Sequence, residues 1–129
     1  NPELKKILAS ITTRKVIFTN SDRWHANRVL EALEITEYFD EIIDIIDIQP
    51  FCKPMQGAFE LALGKLRITD PTECMIVDDN MRNITTAQSL GMYTVWVNHQ
   101  SDVVNIDQNQ IQKIEEIGNV IQNLYLKEE

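Results

Sequence analysis

Five polar or charged side chains lie at three places where an apolar run gives way to a turn or a helix start. Thr19 and Asn20 end the run "KVIFTN", Asp78 and Asp79 end "CMIVDD", and Lys53 in "FCKPM" precedes a helical segment. A hydroxyl, a lysine and two carboxylates that converge on one crevice could bind a phosphate group together with a cation. The residue types therefore indicate phosphoryl chemistry.

The two adjacent aspartates carry the strongest signal. Asp78 and Asp79 would repel each other at close range unless one were protonated or a cation lay between them. Mg²⁺ suits such a site, because it binds one or two carboxylates together with phosphate oxygens and water. Lys53 would neutralise a phosphate as a point charge, and Thr19 with backbone amides would bind the other phosphate oxygens.

Each of these residues also has an ordinary structural explanation. A Thr-Asn pair at a strand end is most often a turn or a helix cap, and a lysine before a proline is usually solvated. One aspartate could simply cap the helix that starts near Asn80. The functional interpretation rests on the order of the groups and on their common place at strand ends.

The hydrophobic pattern that must position these residues predicts an α/β fold. Four Val- and Ile-rich runs, "KVIFTN", "EIIDIIDI", "CMIVDD" and "YTVWV", predict buried strands. Strands of this kind that alternate with helices favour a mostly parallel sheet flanked by helices, with ligands beyond the carboxyl ends of the strands. The helices are predicted over Asp22 to Glu34, Pro54 to Leu66, Met81 to Leu90 and Asp107 to Leu126.

Pro54 and the apolar residues of the last helix allow two more specific predictions. Pro54 suits the first turn of the second helix, where its missing N–H costs nothing. In the last helix an apolar stripe at helical spacing indicates core packing rather than a partner surface; its members are Ile111, Ile114, Ile117, Ile121 and Leu124.

Length and composition narrow the function classes. The 129 residues fit a single domain, and 20 acidic against 12 basic side chains give a net charge of -8, which disfavours nucleic-acid polymers and anionic membranes as partners. No segment resembles a membrane span or a signal peptide, so we expect a cytoplasmic protein. Cys52 and Cys74 have no metal-binding spacing, and we expect neither a disulfide nor a zinc site.

Three ordered segments resemble motifs of the haloacid dehalogenase-like (HAD) hydrolase superfamily. The segments "VIFTNSD…HANRVLEALEITEYFDEII", "CKPMQGAFELAL" and "MIVDDNMRNITTAQSLGMYTVWV" look like its second, third and fourth motifs. The nearest branch resembles the pyrimidine 5′-nucleotidase-like phosphatases of fungi and plants. The resemblance implies a three-layer Rossmann-like fold and a Mg²⁺-dependent phosphomonoesterase acting on a nucleotide or a similar small phosphorylated metabolite.

The second and third motifs imply the phosphate side of the site. Thr19 and the backbone of Asn20 would bind the substrate phosphate, and Lys53 would bridge phosphate and nucleophile, which makes Lys53 and Thr19 the catalytic candidates. Arg23 and His25 follow the phosphate loop and could touch a leaving group. A solvated first-turn side chain for Arg23 and a partly buried helix histidine for His25 are the plainer interpretations.

The fourth motif implies the metal side of the site. Asp79 would bind Mg²⁺ directly, and Asp78 would bind it directly or through water. Asn83 occupies the place of a polar or acidic residue that steadies this loop.

The sequence departs from the family at its amino-terminal side. Phosphatases of this superfamily begin with an Asp-x-Asp motif that supplies the nucleophile and the general acid, and no D-x-D occurs in these 129 residues. The cap segment that usually follows that motif is also missing. We therefore expect residues 1–129 to be one partial HAD-like core domain, a fragment in which residues 1–13 are the remnant of a cap helix.

The missing motif carries a missing strand. In the family this strand lies between the strand that ends at Asn20 and the strand that ends at Asp78, and its removal would expose two apolar edges. The remaining strands could close the gap by direct pairing in the order 2-1-3-4, which keeps the phosphate and metal residues at one crevice.

Two functional hypotheses follow. The parent protein is a Mg²⁺-dependent phosphomonoesterase, or the chain is a catalytically silent phosphate- or metal-binding domain of a truncated paralogue with an interaction role. A phosphorelay receiver is set aside, because its acidic pair comes first and its lysine last, whereas here the order is Thr19, Lys53 and then Asp78. The oligomeric state is left open.

Overall fold

The computed structural model describes residues 1–99 and 110–121 of the chain. Its strands and helices alternate, and this alternation confirms the α/β class. The elements are, in chain order, α1 (Pro2–Ser10), β1 (Val16–Phe18), α2 (Arg23–Ala32), β2 (Glu41–Ile43), α3 (Gln56–Lys65), β3 (Met75–Asp78), α4 (Met81–Ser89), β4 (Tyr93–Val97) and β5 (Gln110–Ile111). Short 3₁₀ turns lie at Thr36–Tyr38, Pro71–Glu73 and Ile114–Glu116.

Short polar side chains set the starts of α2 and α4. The side chain of Asp22 accepts the backbone N–H of His25, and that of Asn80 accepts the backbone N–H of Arg82, so each cap satisfies a donor that the helix leaves free. The expected first-turn position of Pro54 is wrong. The N–H of Met55 donates to the carbonyl of Cys52 at 2.8 Å, which places the proline in a turn, and α3 begins only at Gln56.

All pairings between the described strands are parallel. β1 pairs with β2, with Ile17 opposite Ile42, and β3 pairs with β4, with Val77 opposite Val95. β5 adds to the outer side of β4. The Rossmann-like class of parallel sheets flanked by helices is therefore confirmed.

The expected direct pairing of β1 with β3 is not formed, which corrects the closed order 2-1-3-4. Within residues 1–99 and 110–121 the strands form two sheets, β1-β2 and β3-β4-β5. The carbonyl of Phe18 at the end of β1 accepts a hydrogen bond from the ammonium of Lys53 at 2.8 Å, where a continuous sheet would use a neighbouring strand. The facing edges of β1 and β3 thus have no strand partner in the described part of the chain.

The helix predicted from Asp107 to Leu126 is also corrected. Residues 110–111 form β5, a 3₁₀ turn follows, and helical backbone covers residues 117–121. Residues 107–109 and 122–126 lie outside the described residues. Pairing with β4 satisfies backbone groups and buries Ile111 to 5% exposure, so tertiary contact overrides the helical spacing. Ile111 and Ile117 do pack in one core cluster, as the stripe predicted.

Helices join the two sheets through the core. α3 places Ala58 and Ala62 against the β1-β2 sheet and Phe59 against β3 and α4, while Phe18 packs in both clusters. Its ring meets that of Phe59 edge to face, with centroids 5.2 Å apart. α1 contributes Leu8 to a cluster under α2 and packs Ile7 against the β4-β5 cluster. The relative position of the sheets therefore depends on side-chain packing.

None of the helices in residues 1–99 and 110–121 has the length and apolar character that crossing a bilayer requires. Both cysteines are free thiols.

Candidate active site

The loop after β1 is tied down by main-chain hydrogen bonds. The N–H of Thr19 donates to the carbonyl of Ile43 at 3.0 Å, and the carbonyl of Ser21 accepts the N–H of Ile45 at 3.1 Å. The Thr19 hydroxyl oxygen accepts the N–H of Ser21 at 3.0 Å. Its own O–H proton has no acceptor among the described residues, so this hydroxyl can still donate to a ligand.

A buried aspartate supports the same loop from below. Asp44 is only 4% exposed and accepts the N–H of Arg23 at 2.9 Å, which fixes the first turn of α2. Asp44 and Asp47 also accept each other's backbone N–H at 3.0 Å. Burial alone would raise the pKa of Asp44, but the hydrogen bonds from the backbone of Asp47 and Arg23 outweigh it and lower that pKa.

Lys53 lies between the ends of the two sheets. Its ammonium nitrogen donates to the Phe18 carbonyl at 2.8 Å and lies 3.4 Å from Oδ2 of Asp78. It also lies 4.8 Å from the centroid of the Phe18 ring, a cation–π distance. The side chains of Lys53 and Asp78 are 9% and 13% exposed. One buried ammonium therefore contacts residues from both strand ends.

Asn20 holds the backbone of Lys53. Its side-chain Oδ1 accepts the N–H of Lys53 at 2.8 Å, and its Nδ2 donates to the Lys53 carbonyl at 3.1 Å. The family resemblance implied a role only for the backbone of Asn20. The carboxamide of Asn20 thus binds the backbone of Lys53, a contact that the sequence pattern did not predict.

The end of β3 arranges two aspartates in different ways. Asp78 accepts the N–H of Asn80 at Oδ1 (2.9 Å) and the Nδ2 of Asn83 at Oδ2 (3.0 Å). The residue Asp79 is exposed, its main-chain carbonyl accepts the indole N–H of Trp96 at 3.1 Å, and its carboxylate makes no hydrogen bond within the described residues. Asp78 is the aspartate that joins the Lys53 network, and the carboxylate of Asp79 is open to solvent.

Asn83 offers a free oxygen at this place. The residue is 6% exposed, and its buried Oδ1 has no hydrogen-bond partner among residues 1–99 and 110–121. A buried carbonyl oxygen without a donor is costly, and a cation or an ordered water would satisfy it. Within residues 1–99 and 110–121 no group of three or more His, Cys, Asp or Glu side chains could hold a metal ion. Asp78 and Asp79 would therefore fit Mg²⁺ only as a partial ligand set.

Arg23 and His25 both make side-chain contacts at the start of α2. The Arg23 guanidinium donates to the Ile42 carbonyl at 2.8 Å and to Asp47 at 3.0 Å, so it is not merely a solvated side chain. The His25 side chain is 65% exposed and contacts Asp22 through Nδ1 at 3.2 Å, which corrects the expectation of a partly buried histidine.

Comparison with known proteins identifies the family. A sequence profile described as "Hydrolase: haloacid dehalogenase-like hydrolase" matches residues 1–91. The chain belongs to the haloacid dehalogenase-like hydrolase family. The resemblance inferred from the three motifs is thereby confirmed.

Individual known proteins are similar to this chain over part of their length. Phosphate metabolism protein 8 of Saccharomyces cerevisiae is 29% identical over 102 residues, an alignment that covers 70% of this chain and 32% of the yeast protein. A Bacillus subtilis protein described as a HAD-hydrolase and solved bound to magnesium superposes with a TM-score of 0.75 at 20% identity, covering 94% of this chain and 51% of its own. A HAD phosphatase from Thermococcus onnurineus gives 0.72 at 23%, covering 93% and 55%. The chain thus spans a third to about half of these proteins.

Proposed function

We propose that this chain is the phosphate- and Mg²⁺-binding part of a HAD-type phosphomonoester hydrolase whose substrate is a nucleotide, in the manner of the pyrimidine 5′-nucleotidase-like branch. The buried Lys53 ammonium is the observation that carries the proposal, since it contacts the end of β1 and Asp78 at the end of β3 at once. A cytoplasmic location is part of the same proposal.

Thr19 and Lys53 bind the phosphate in this scheme. The Thr19 hydroxyl already accepts from Ser21, and it donates its free proton to one phosphate oxygen. Lys53 has three N–H bonds, two directed at Phe18 and Asp78, and the third is available to the ligand. Because the ammonium is largely shielded from water, its attraction for a phosphate is stronger than that of a surface lysine.

Asp78 and Asp79 hold the metal in this scheme, and Asn83 steadies their loop through the hydrogen bond from its Nδ2 to Asp78. The partnerless Oδ1 of Asn83 supports a cation here, as do the exposed Asp79 carboxylate and the magnesium found in the Bacillus subtilis relative. Mg²⁺ supplies neutralisation of the charge on the transferring phosphoryl group. With few protein ligands its affinity depends on a phosphate that completes the coordination.

The nucleophile comes from outside these 129 residues. The family resemblance implies attack by an aspartate to give an aspartyl-phosphate, and no D-x-D is present here. We propose that a further strand of the parent protein, placed between β1 and β3, supplies this carboxylate. In the described part of the chain, the edges of β1 and β3 that face each other have no strand partner, which supports a further strand at this position. In this proposal α1 is the last part of the cap that precedes β1.

A catalytically silent phosphate- or metal-binding domain is the second candidate, favoured by the same absence of D-x-D. The coding sequence upstream of Asn1 separates the two. An in-frame D-x-D followed by a helical cap supports the enzyme, whereas a start codon near Asn1 supports the silent domain.

The phosphate site itself is tested by titrating inorganic phosphate with Mg²⁺ into the ¹⁵N-labelled chain. The amide signals of Thr19 and Asn20 are expected to shift, and Lys53→Met should weaken the apparent affinity about tenfold or more, as the loss of one shielded charge contact does. Lys6→Met is the matched control, because Lys6 is exposed and has no ion pair in the described part of the chain. Equal affinities in the two variants would refute the proposed site.

A further inference from the structure

The two residues Lys53 and Pro54 are held by side chains from opposite halves of the fold. Asn20 bonds both backbone groups of Lys53, at 2.8 and 3.1 Å. On the other side, the hydroxyl of Thr86 donates to the Pro54 carbonyl at 2.7 Å. The connection before α3 is therefore fixed at adjacent peptide groups.

The two holding residues belong to different sheets. Asn20 follows β1 of the two-stranded sheet, whereas Thr86 lies on α4, whose Ile84 and Ala87 pack with Ile76 of β3. No strand pairing joins these sheets in the described residues. The contacts of Asn20 and Thr86 thus place Lys53 relative to both halves.

The chemistry of each side chain suits this task. A carboxamide offers one acceptor and donors in the same geometry as a peptide group, so Asn20 can pair with the Lys53 backbone much as a neighbouring strand would. Thr86 is half-buried, and its single hydroxyl proton has the Pro54 carbonyl as the nearer acceptor, since the Arg82 carbonyl of its own helix lies 3.2 Å away. Its neighbour Thr85 is exposed and donates only within α4, to the Met81 carbonyl at 2.9 Å.

We infer that Asn20 and Thr86 are positioning residues that hold the Lys53 ammonium between the end of β1 and the end of β3. The inference rests on the proposed function, since it explains how phosphate and metal residues on unpaired sheets keep one geometry. Neither residue needs to touch the phosphate through its side chain for this role.

Two measurements on Thr86→Val test the inference, with Thr85→Val as the matched control. The first is the rate at which the Lys53 amine is methylated by ¹³C-formaldehyde and a mild reductant, with its NMR signal assigned by Lys53→Arg. The second is the affinity for inorganic phosphate with Mg²⁺. We expect Thr86→Val to react about three to ten times faster at Lys53 and to bind phosphate more weakly by a similar factor, the range that one net hydrogen bond corresponds to.

Thr85→Val should leave both quantities unchanged, and Thr86→Ser, which keeps the hydroxyl, should restore both. Circular dichroism and melting curves verify that each variant is folded, and a Thr86→Val chain that fails to fold is replaced by Asn20→Ala in the same comparison. Equal Lys53 reactivity in the Thr86 and Thr85 variants would overturn the inference. A wild-type chain that binds no phosphate would instead overturn the proposed function, and the reactivity comparison would still decide the role of Thr86.

Discussion

The contact between Lys53 and Asp78 should be measurable as an energetic coupling. At 3.4 Å the Coulomb attraction is about 5 kcal/mol for an effective dielectric constant near 20. The desolvation of two largely buried groups offsets much of this gain. We therefore expect a net coupling of about 1–3 kcal/mol between the two side chains.

A double-mutant cycle with Lys53→Met and Asp78→Asn gives this coupling from urea unfolding at neutral pH. Lys53→Met alone should lower the free energy of unfolding by about 2–3 kcal/mol, because Asp78 then keeps only its bonds from Asn80 and Asn83 and loses its cation. The double variant should lose less than the sum of the single losses. Lys6→Met should change stability by less than about 0.5 kcal/mol.

Two results would refute this reasoning. Additive losses within about 0.5 kcal/mol would mean that the Lys53 ammonium and the Asp78 carboxylate do not interact in solution. A negligible loss in Lys53→Met would mean that this side chain is not held between the two strand ends.

The remaining predictions concern turnover, ligand coupling and acid stability. The purified chain should hydrolyse neither p-nitrophenyl phosphate nor pyrimidine mononucleotides with Mg²⁺, and a turnover that survives repurification and disappears in Asp79→Ala would contradict the missing nucleophile. Millimolar Mg²⁺ and phosphate should each raise the melting temperature slightly and raise it more together, and Asp79→Asn should abolish this enhancement; a variant that responds like wild type would exclude Asp79 as a ligand. The lowered pKa of Asp44 means that its stabilising contribution is complete above its ordinary value of 3.8 and is lost as pH falls through the folded-state value. Urea unfolding between pH 7 and pH 3 should therefore show the stability gap between wild type and Asp44→Asn narrowing in acid, and a constant gap would contradict the lowered pKa.

The sequence was sufficient to predict the features that depend on local pattern. Apolar runs predicted β1 to β4, and the predicted starts at Asp22 and Met81 lie within one residue of the starts of α2 and α4, although the cap of α4 is Asn80 and not one of the two aspartates. The fold family followed from the order of three motifs. These signals lie within short segments, so no knowledge of distant contacts was required.

Features that depend on contacts between distant segments could not be predicted. The two residues of β5 become a strand only because β4 offers a free edge, and their apolar spacing alone favoured a helix. The run "EIIDIIDI" has two aspartates, Asp44 and Asp47, among apolar residues, which is a signal for a buried role, but Arg23, whose N–H Asp44 accepts, lies 21 residues from Asp44. Nothing in the sequence around Thr86 or Pro54 predicted the hydrogen bond from the Thr86 hydroxyl to the Pro54 carbonyl.

The separation of the sheets has a consequence for ligand binding. In a continuous sheet, main-chain ladders fix the distance between neighbouring strand ends, whereas here single side-chain contacts such as those of Lys53 and Asn20 connect β1 to β3. Each such contact contributes on the order of 1 kcal/mol and adds to the packing of Phe18 in both core clusters, so polar contacts and packing together set the relation between the phosphate side and the metal side. A phosphate bound to both Thr19 and a cation at Asp79 would strengthen that relation. Phosphate and Mg²⁺ should therefore each favour the arrangement that the other needs, which is the physical origin of their expected mutual enhancement.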